Sequence, residues 1–149
     1  MEDRTLGRPI DILMVEDNPA DSALFLELLN ESEARTNVKV IETGREALGY
    51  LEEVSRTARR PDIVILDLKL PGMSGHEVLN RMKENPDTET IPVIVFSSSS
   101  AETGIDRAYR ERACCYINKP TTLERMEDTV EAIETFWFKT VQLPPKPAG

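Results

Sequence analysis

Five short, largely apolar runs punctuate the chain at residues 11–15, 38–41, 63–66, 93–96 and 114–117, most of them rich in Ile and Val. Each is shorter than a typical helix and bounded by turn-forming or charged residues, so each is predicted to be a strand. Between them apolar positions recur at helical spacing. Asn18 before Pro19 is an N-cap with proline at the first helical position, and Leu24, Phe25, Leu28 and Leu29 supply that helix's apolar face. Further helices are expected over 43–54, 76–84, 101–111 and 121–138. Strands that are apolar almost throughout belong in a sheet covered on both faces, because a strand with one wet face alternates. The pattern therefore predicts an α/β fold, a doubly wound five-stranded parallel sheet with five helices.

Composition narrows the picture. With 149 residues and 40% apolar content the chain fits one domain, read as an N-terminal extension over 1–9, the domain over 10–139 and a proline-rich tail over 140–149. The run Leu143-Pro144-Pro145-Lys146-Pro147 cannot continue a helix and is expected to be extended and mobile. No apolar run reaches the ~18 residues a membrane span needs. The N-terminus lacks the basic-then-apolar order of a secretory signal, so a cytoplasmic location is expected. A net charge of −9 disfavours nucleic-acid binding, which draws on Lys and Arg displacing counterions, and suits cationic partners. Cys114 and Cys115, adjacent in a strand-like run, are read as small buried thiols in a reducing compartment.

In open parallel sheets ligands bind at the carboxyl ends of strands. Those ends carry Glu16 and Asp17, Asp67, Ser97 and Ser98, and Asn118-Lys119-Pro120. Carboxylates crowded there would repel, by about 4 kcal/mol per pair at ~4 Å and an effective dielectric near 20. A hard cation with oxygen ligands relieves this, and Mg²⁺ suits one or two carboxylates plus a phosphate oxygen. Asp67 then becomes a nucleophile toward an activated phosphoryl group, with Ser97 and Lys119 contacting phosphoryl oxygens.

These residues occur as Val15-Glu16-Asp17-Asn18, Leu66-Asp67-Leu68-Lys69-Leu70-Pro71-Gly72, Val95-Phe96-Ser97-Ser98 and Tyr116-Ile117-Asn118-Lys119-Pro120. The set resembles the response-regulator receiver domains of two-component signalling over roughly residues 10–138. Glu16 to Asp21, the Lys83-Glu84-Asn85-Pro86-Asp87 connection and Phe136-Trp137-Phe138 look like the phytochrome-associated stand-alone receivers. The resemblance implies a flavodoxin-like receiver fold and a phosphoryl group taken from a sensor histidine kinase, phytochrome-like in that subfamily, onto Asp67. It implies Mg²⁺ held by Asp17, Asp67 and the backbone carbonyl of Lys69, with Glu16 acting through water. It further implies a cis Lys119–Pro120 bond, a switch built on Ser97 and Tyr116, and homodimerisation through the fifth helix and C-terminal segment. Such a protein assists only its own phosphorylation and dephosphorylation. Ser97 stands where threonine is commoner, which keeps the hydroxyl but loses a rotamer-restricting methyl; Ser74 replaces a frequent aspartate.

Each motif has a bland reading by itself. Glu16-Asp17 is a solvated loop or cap, Asp67 a turn former, Lys119 a surface charge, and Tyr116 a half-buried core aromatic; only their joint arrival at four strand ends argues for chemistry. His76, the lone histidine, is read as a surface residue. In the last helix Leu123, Met126, Val130, Ile133 and Trp137 form one stripe, which leaves Phe136 and Phe138 off it and predicts an outward ring and an interface at Phe136, Trp137 and Phe138. Packing beneath the proline tail is the competing reading. The 29 residues after Pro120 leave no room for a DNA-binding or enzymatic output domain, so output is expected through protein contacts. The alternatives are an unphosphorylated adaptor, against which the intact acid and lysine set argues, and a flavodoxin-like nucleotide binder, whose first turn would be glycine-rich.

Overall fold

The computed structural model describes residues 8–32 and 34–148. Five parallel strands, β1 (Ile10–Val15), β2 (Thr36–Ile41), β3 (Ile63–Leu66), β4 (Val93–Ser97) and β5 (Cys115–Asn118), form one sheet in the order β2-β1-β3-β4-β5. Five helices alternate with them: α1 (Pro19–Asn30), α2 (Gly44–Val54), α3 (Gly75–Glu84), α4 (Glu102–Arg110) and α5 (Leu123–Ile133). The predicted element order is the observed one. α2 and α5 start one and two residues later than expected because Thr43 and Thr122 lie outside the helix as caps, and α3 starts one residue earlier, behind Ser74; each of the three accepts a backbone N–H of the first turn.

Side-chain alternation along the strands divides the core. Ile10, Ile12 and Met14 of β1 pack with Ile63, Ile65, Phe25, Leu29, Met126 and Val130 beneath α1 and α5. Leu13 and Val15 point the other way, joining Val64, Leu66, Leu51, Val78 and Met82 beneath α2 and α3. The central strands β3 and β4 are buried throughout, whereas the edge strands β2 and β5 are only partly covered, so continuous apolarity was required only in the middle of the sheet.

Four expectations are corrected. Cys114 precedes β5 and is exposed while Cys115 is half-buried, so the pair are not buried thiols. His76 is not a free surface residue; its ring pairs with Glu111, both side chains being nearly covered. The tail is extended but anchored: Leu143 is buried in the α1/α5 cluster, Lys146 pairs with Asp11 and lies 3.6 Å from Asp62, and Arg60 donates to the carbonyl of Pro145. The aromatic interface is the fourth. After Ile133 the helix widens into a π-helical turn, Glu134–Thr140, whose extra residue per turn seats Phe138, not Trp137, in the core. Phe138 has no exposed surface and cannot belong to an interface of this conformation; Trp137 packs partly against the core, and Phe136 is 51% exposed. Leu123, at 58%, also leaves the predicted stripe. Residues 1–7 of the expected N-terminal extension lie outside the described residues.

Candidate functional site

The sheet order reverses at β1, whose neighbours β2 and β3 lead away in opposite directions, and this switch point is where α/β sheets open a crevice at their carboxyl edge. Glu16 and Asp17 follow β1 and Asp67 follows β3. One carboxylate oxygen from each lies within 4.8 Å of the others. Glu16 and Asp67 are buried and Asp17 is exposed. The backbone holds them firmly: Asp67 N–H donates to the carbonyl of Val15 at 3.0 Å and Glu16 N–H to that of Ile41 at 3.0 Å.

Lys119, delivered by β5, completes the cluster. Its ammonium is 2.6 Å from Glu16 Oε1, 2.8 Å from Asp21 Oδ2 and 3.0 Å from Asp67 Oδ2. Asp21 was missed as a site residue. It sits in the first turn of α1, where Asn18 caps Ala20 and Asp21; an acid there suits the helix dipole in any helix, so nothing local marked it. Burial alone would lower the Lys119 pKa, but the hydrogen bonds it donates to Asp21, Glu16 and Asp67 outweigh it and raise it. For Glu16, burial dominates and, with the Asp67 charge, lifts the carboxyl to about 7 despite the Lys119 bond.

Three carboxylates thus contact one ammonium and Asp17 lies beside them, an excess of three negative charges when all are ionised. The donor set is all oxygen, as a hard cation requires. An octahedral Mg²⁺ holds opposed ligands about 4.2 Å apart, and oxygens of Glu16, Asp17 and Asp67 lie within 4.8 Å of one another, so these three acids fit such an ion. The backbone after Asp67 turns back onto it, Lys69 N–H donating to Asp67 Oδ1 at 3.1 Å, and Gly72 takes a φ of +74° to close the loop.

Ser97 ends β4, fully buried, opposite Asn118 in the β4–β5 register. Its carbonyl accepts the Lys119 N–H at 2.8 Å, which couples the two residues through the main chain. Tyr116 is half-buried and its hydroxyl donates to the carbonyl of Ser99 at 2.7 Å; Asn118 Nδ2 donates to the same oxygen at 2.7 Å. Tyr116 is therefore fastened to the loop that follows Ser97, and Asn118 is a second tie that sequence reading missed. The expected cis bond is corrected: no described peptide bond is cis. Lys119 reaches its acids through the trans form that X–Pro bonds favour by about 0.5–1 kcal/mol.

The model of the response regulator receiver domain family matches residues 12–131. Response regulator Rcp1 of Synechocystis sp. is 37% identical over 138 residues, covering 91% of this chain and 94% of Rcp1. The probable methanogenesis regulatory protein FilR2 of Methanothrix harundinacea is 35% identical, covering 87% of this chain and 84% of FilR2. Among solved structures, the Mn²⁺-bound form of Rcp1 superimposes with a TM-score of 0.85 at 37% identity over 92% of this chain and all of that one. The phosphorylated cyanobacterial phytochrome response regulator RcpA does so with a TM-score of 0.87 at 38% identity over 93% of this chain and all of that one. With its sheet order, its acidic cluster and these likenesses in agreement, the chain belongs to the response-regulator receiver domains of two-component signal transduction.

Proposed function

We propose that Asp67 is the phosphoacceptor and that this receiver takes its phosphoryl group from the phosphohistidine of a sensor histidine kinase. One observation carries the reading: acids from β1 and β3 and the lysine from β5 converge within hydrogen-bonding distance, with Asp67 among them. A carboxylate oxygen of Asp67 attacks phosphorus, the new P–O bond forms as the P–N bond breaks, and imidazole leaves. Asp17, Asp67 and the Lys69 carbonyl, with Glu16 through water, would hold Mg²⁺, which when bound neutralises phosphoryl oxygens. The Mn²⁺-bound form of Rcp1 and the phosphorylated form of RcpA support both parts of the proposal.

Lys119 pairs with a phosphoryl oxygen as it now pairs with Asp67, and Ser97 Oγ donates to another. Drawing Ser97 inward pulls the loop to which Tyr116 and Asn118 are bonded, so β5 and α4 receive the signal. The phytochrome relationship of RcpA suggests a phytochrome-like kinase as donor. Signalling then proceeds by protein contacts in the cytoplasm, with self-association through the exposed Phe136 at the end of α5. No helix among the described residues is long and apolar enough to cross a membrane.

Intact mass after incubation with acetyl phosphate and Mg²⁺ tests the reading. One phosphoryl adduct is expected on the parent chain and none on Asp67→Asn; an adduct that persists in Asp67→Asn removes Asp67 from its role. An adaptor that never takes phosphoryl would show no adduct on either chain and no Mg²⁺ binding.

A further inference from the structure

The apolar stripe of α5 runs through Met126, Val130 and Ile133, all buried. At 100° per residue Trp137 would continue it about 20° from Met126, whereas Phe138 would lie about 120° away. The molecule does the reverse. Through the π turn Phe138 follows Ile133 by five residues and is fully buried, while Trp137 is left partly covered with its ring edge-on to the exposed Phe136, centroids 5.2 Å apart. The turn is closed by Val141 N–H to the carbonyl of Phe136 at 3.0 Å and by Thr140 Oγ1 to that of Thr135 at 2.6 Å.

A π turn spends a residue on poorer backbone geometry and persists where something else holds it. Here the restraint lies beyond it. The chain from Val141 onward is pinned at Leu143 in the core, at Pro145 by Arg60, and at Lys146 by Asp11 and Asp62. Those anchors stand at the amino edge of the sheet, on β1 and at the start of β3, so they fix where the helix must hand over to the tail.

We infer that the end of α5 is a two-register latch. With the tail anchored, the π turn seats Phe138 in the α1/α5 cluster. When the tail is released, the turn relaxes to α-helix and Trp137 takes the slot, so that Phe138 turns outward and the aromatic surface offered at this end of the molecule changes. The exchange is possible because two adjacent aromatics compete for one site separated by a single-residue slip, the bistable condition that packed cores impose on switching elements.

Trp137 is the only tryptophan, so its fluorescence reports the register directly. The full-length Leu143→Asp/Lys146→Glu chain, which sets acids against the core and against Asp11 and Asp62, should show Trp137 emission at shorter wavelength and weaker acrylamide quenching than the parent. Phe138→Ala, which empties the slot but leaves the tail anchored, should keep the parental emission, and should shift as the tail variant does only when combined with Leu143→Asp/Lys146→Glu. Deletion of Thr135 makes Phe138 the fourth residue after Ile133, giving a regular helix with parental emission that no longer responds to the tail substitutions. Far-UV circular dichroism identifies folded variants, and the milder Lys146→Glu single variant, which loosens the tail at Asp11 and Asp62 alone, decides the matter if the double variant unfolds. Unchanged or more exposed Trp137 in the folded tail variants overturns the latch, as does a Thr135 deletion that responds to tail release as the parent does.

Discussion

A Cβ added to Gly75 would stand 2.3 Å from the backbone oxygen of Asp67 and 2.5 Å from Cα of Leu68. The first turn of α3 is thus pressed against the main chain of the proposed phosphoacceptor, held by Gly75 N–H to the carbonyl of Leu68 at 2.9 Å. Since the neighbour is backbone and cannot swing aside, Gly75→Ala should cost about 1–3 kcal/mol by overpacking, read as a lower urea midpoint, and should slow phosphoryl uptake in the mass assay. A second residue-scale effect concerns pH. Burial pushes the Lys83 ammonium below the lysine range, partly countered by Cys114 and reinforced by Arg112, while the ammonium donates to the carbonyls of Glu89 and Ile91 at 2.9 and 2.8 Å. The folded chain releases this proton at lower pH than the unfolded chain, so the unfolded state binds more protons in between. Stability from this group therefore rises with pH toward the ordinary value of about 10.4. Lys119 works in the opposite sense: its raised pKa contributes stability fully present below the ordinary value and lost above it. In urea unfolding measured from neutral to about pH 10, Lys83→Met should remove a rising component of stability; an unaltered slope would show that another group carries it.

Among the elements, α4 is the least anchored. It buries only Ala108 and its N-cap makes no side-chain hydrogen bond. Compensation comes from Glu111, just past its end, which pairs with His76 of α3 and accepts from Asn80 at 2.7 Å and Arg107 at 3.2 Å. Glu111→Ala leaves His76 and Asn80 without their partner and should cost about 1–3 kcal/mol. Hydrogen exchange should quicken in α4 well before α1, because local opening follows the elements with fewest buried contacts; equal acceleration everywhere would mean that Glu111 supports the fold as a whole. At the end of α5, Phe136→Ala should change monomer stability by no more than about 0.5 kcal/mol, since that ring is half exposed. The same substitution should lower the self-association seen by light scattering if this end of the helix is the contact.

At the scale of the molecule, the sheet has a charged cluster at each end. At the carboxyl edge acids outnumber the single lysine, so if they hold Mg²⁺ as proposed, the ion at a hundred times its dissociation constant should raise the unfolding free energy by about 2.7 kcal/mol, and Asp17→Asn should abolish most of that gain. At the amino edge Asp62, fully buried, receives two bonds of 2.9 Å from Arg8 and one of 2.9 Å from Asp11 N–H, with Lys146 close by. Asp62→Asn should cost about 1–3 kcal/mol in urea unfolding and loosen both chain ends together. The alternation of strands and helices, the two-faced sheet and the presence of acids, serine and lysine at strand ends were all readable along the chain, because apolar period and caps act over a few residues and parallel order follows from them. The aromatic stripe misled because a helix period assumes an unbroken α register, which the π turn does not keep. Asp21 on Lys119 spans 98 positions and Lys146 on Asp11 spans 135. Such pairings leave no local trace, and only the packing of distant segments against one sheet decided which charges meet, which aromatic is buried and where the tail comes to rest.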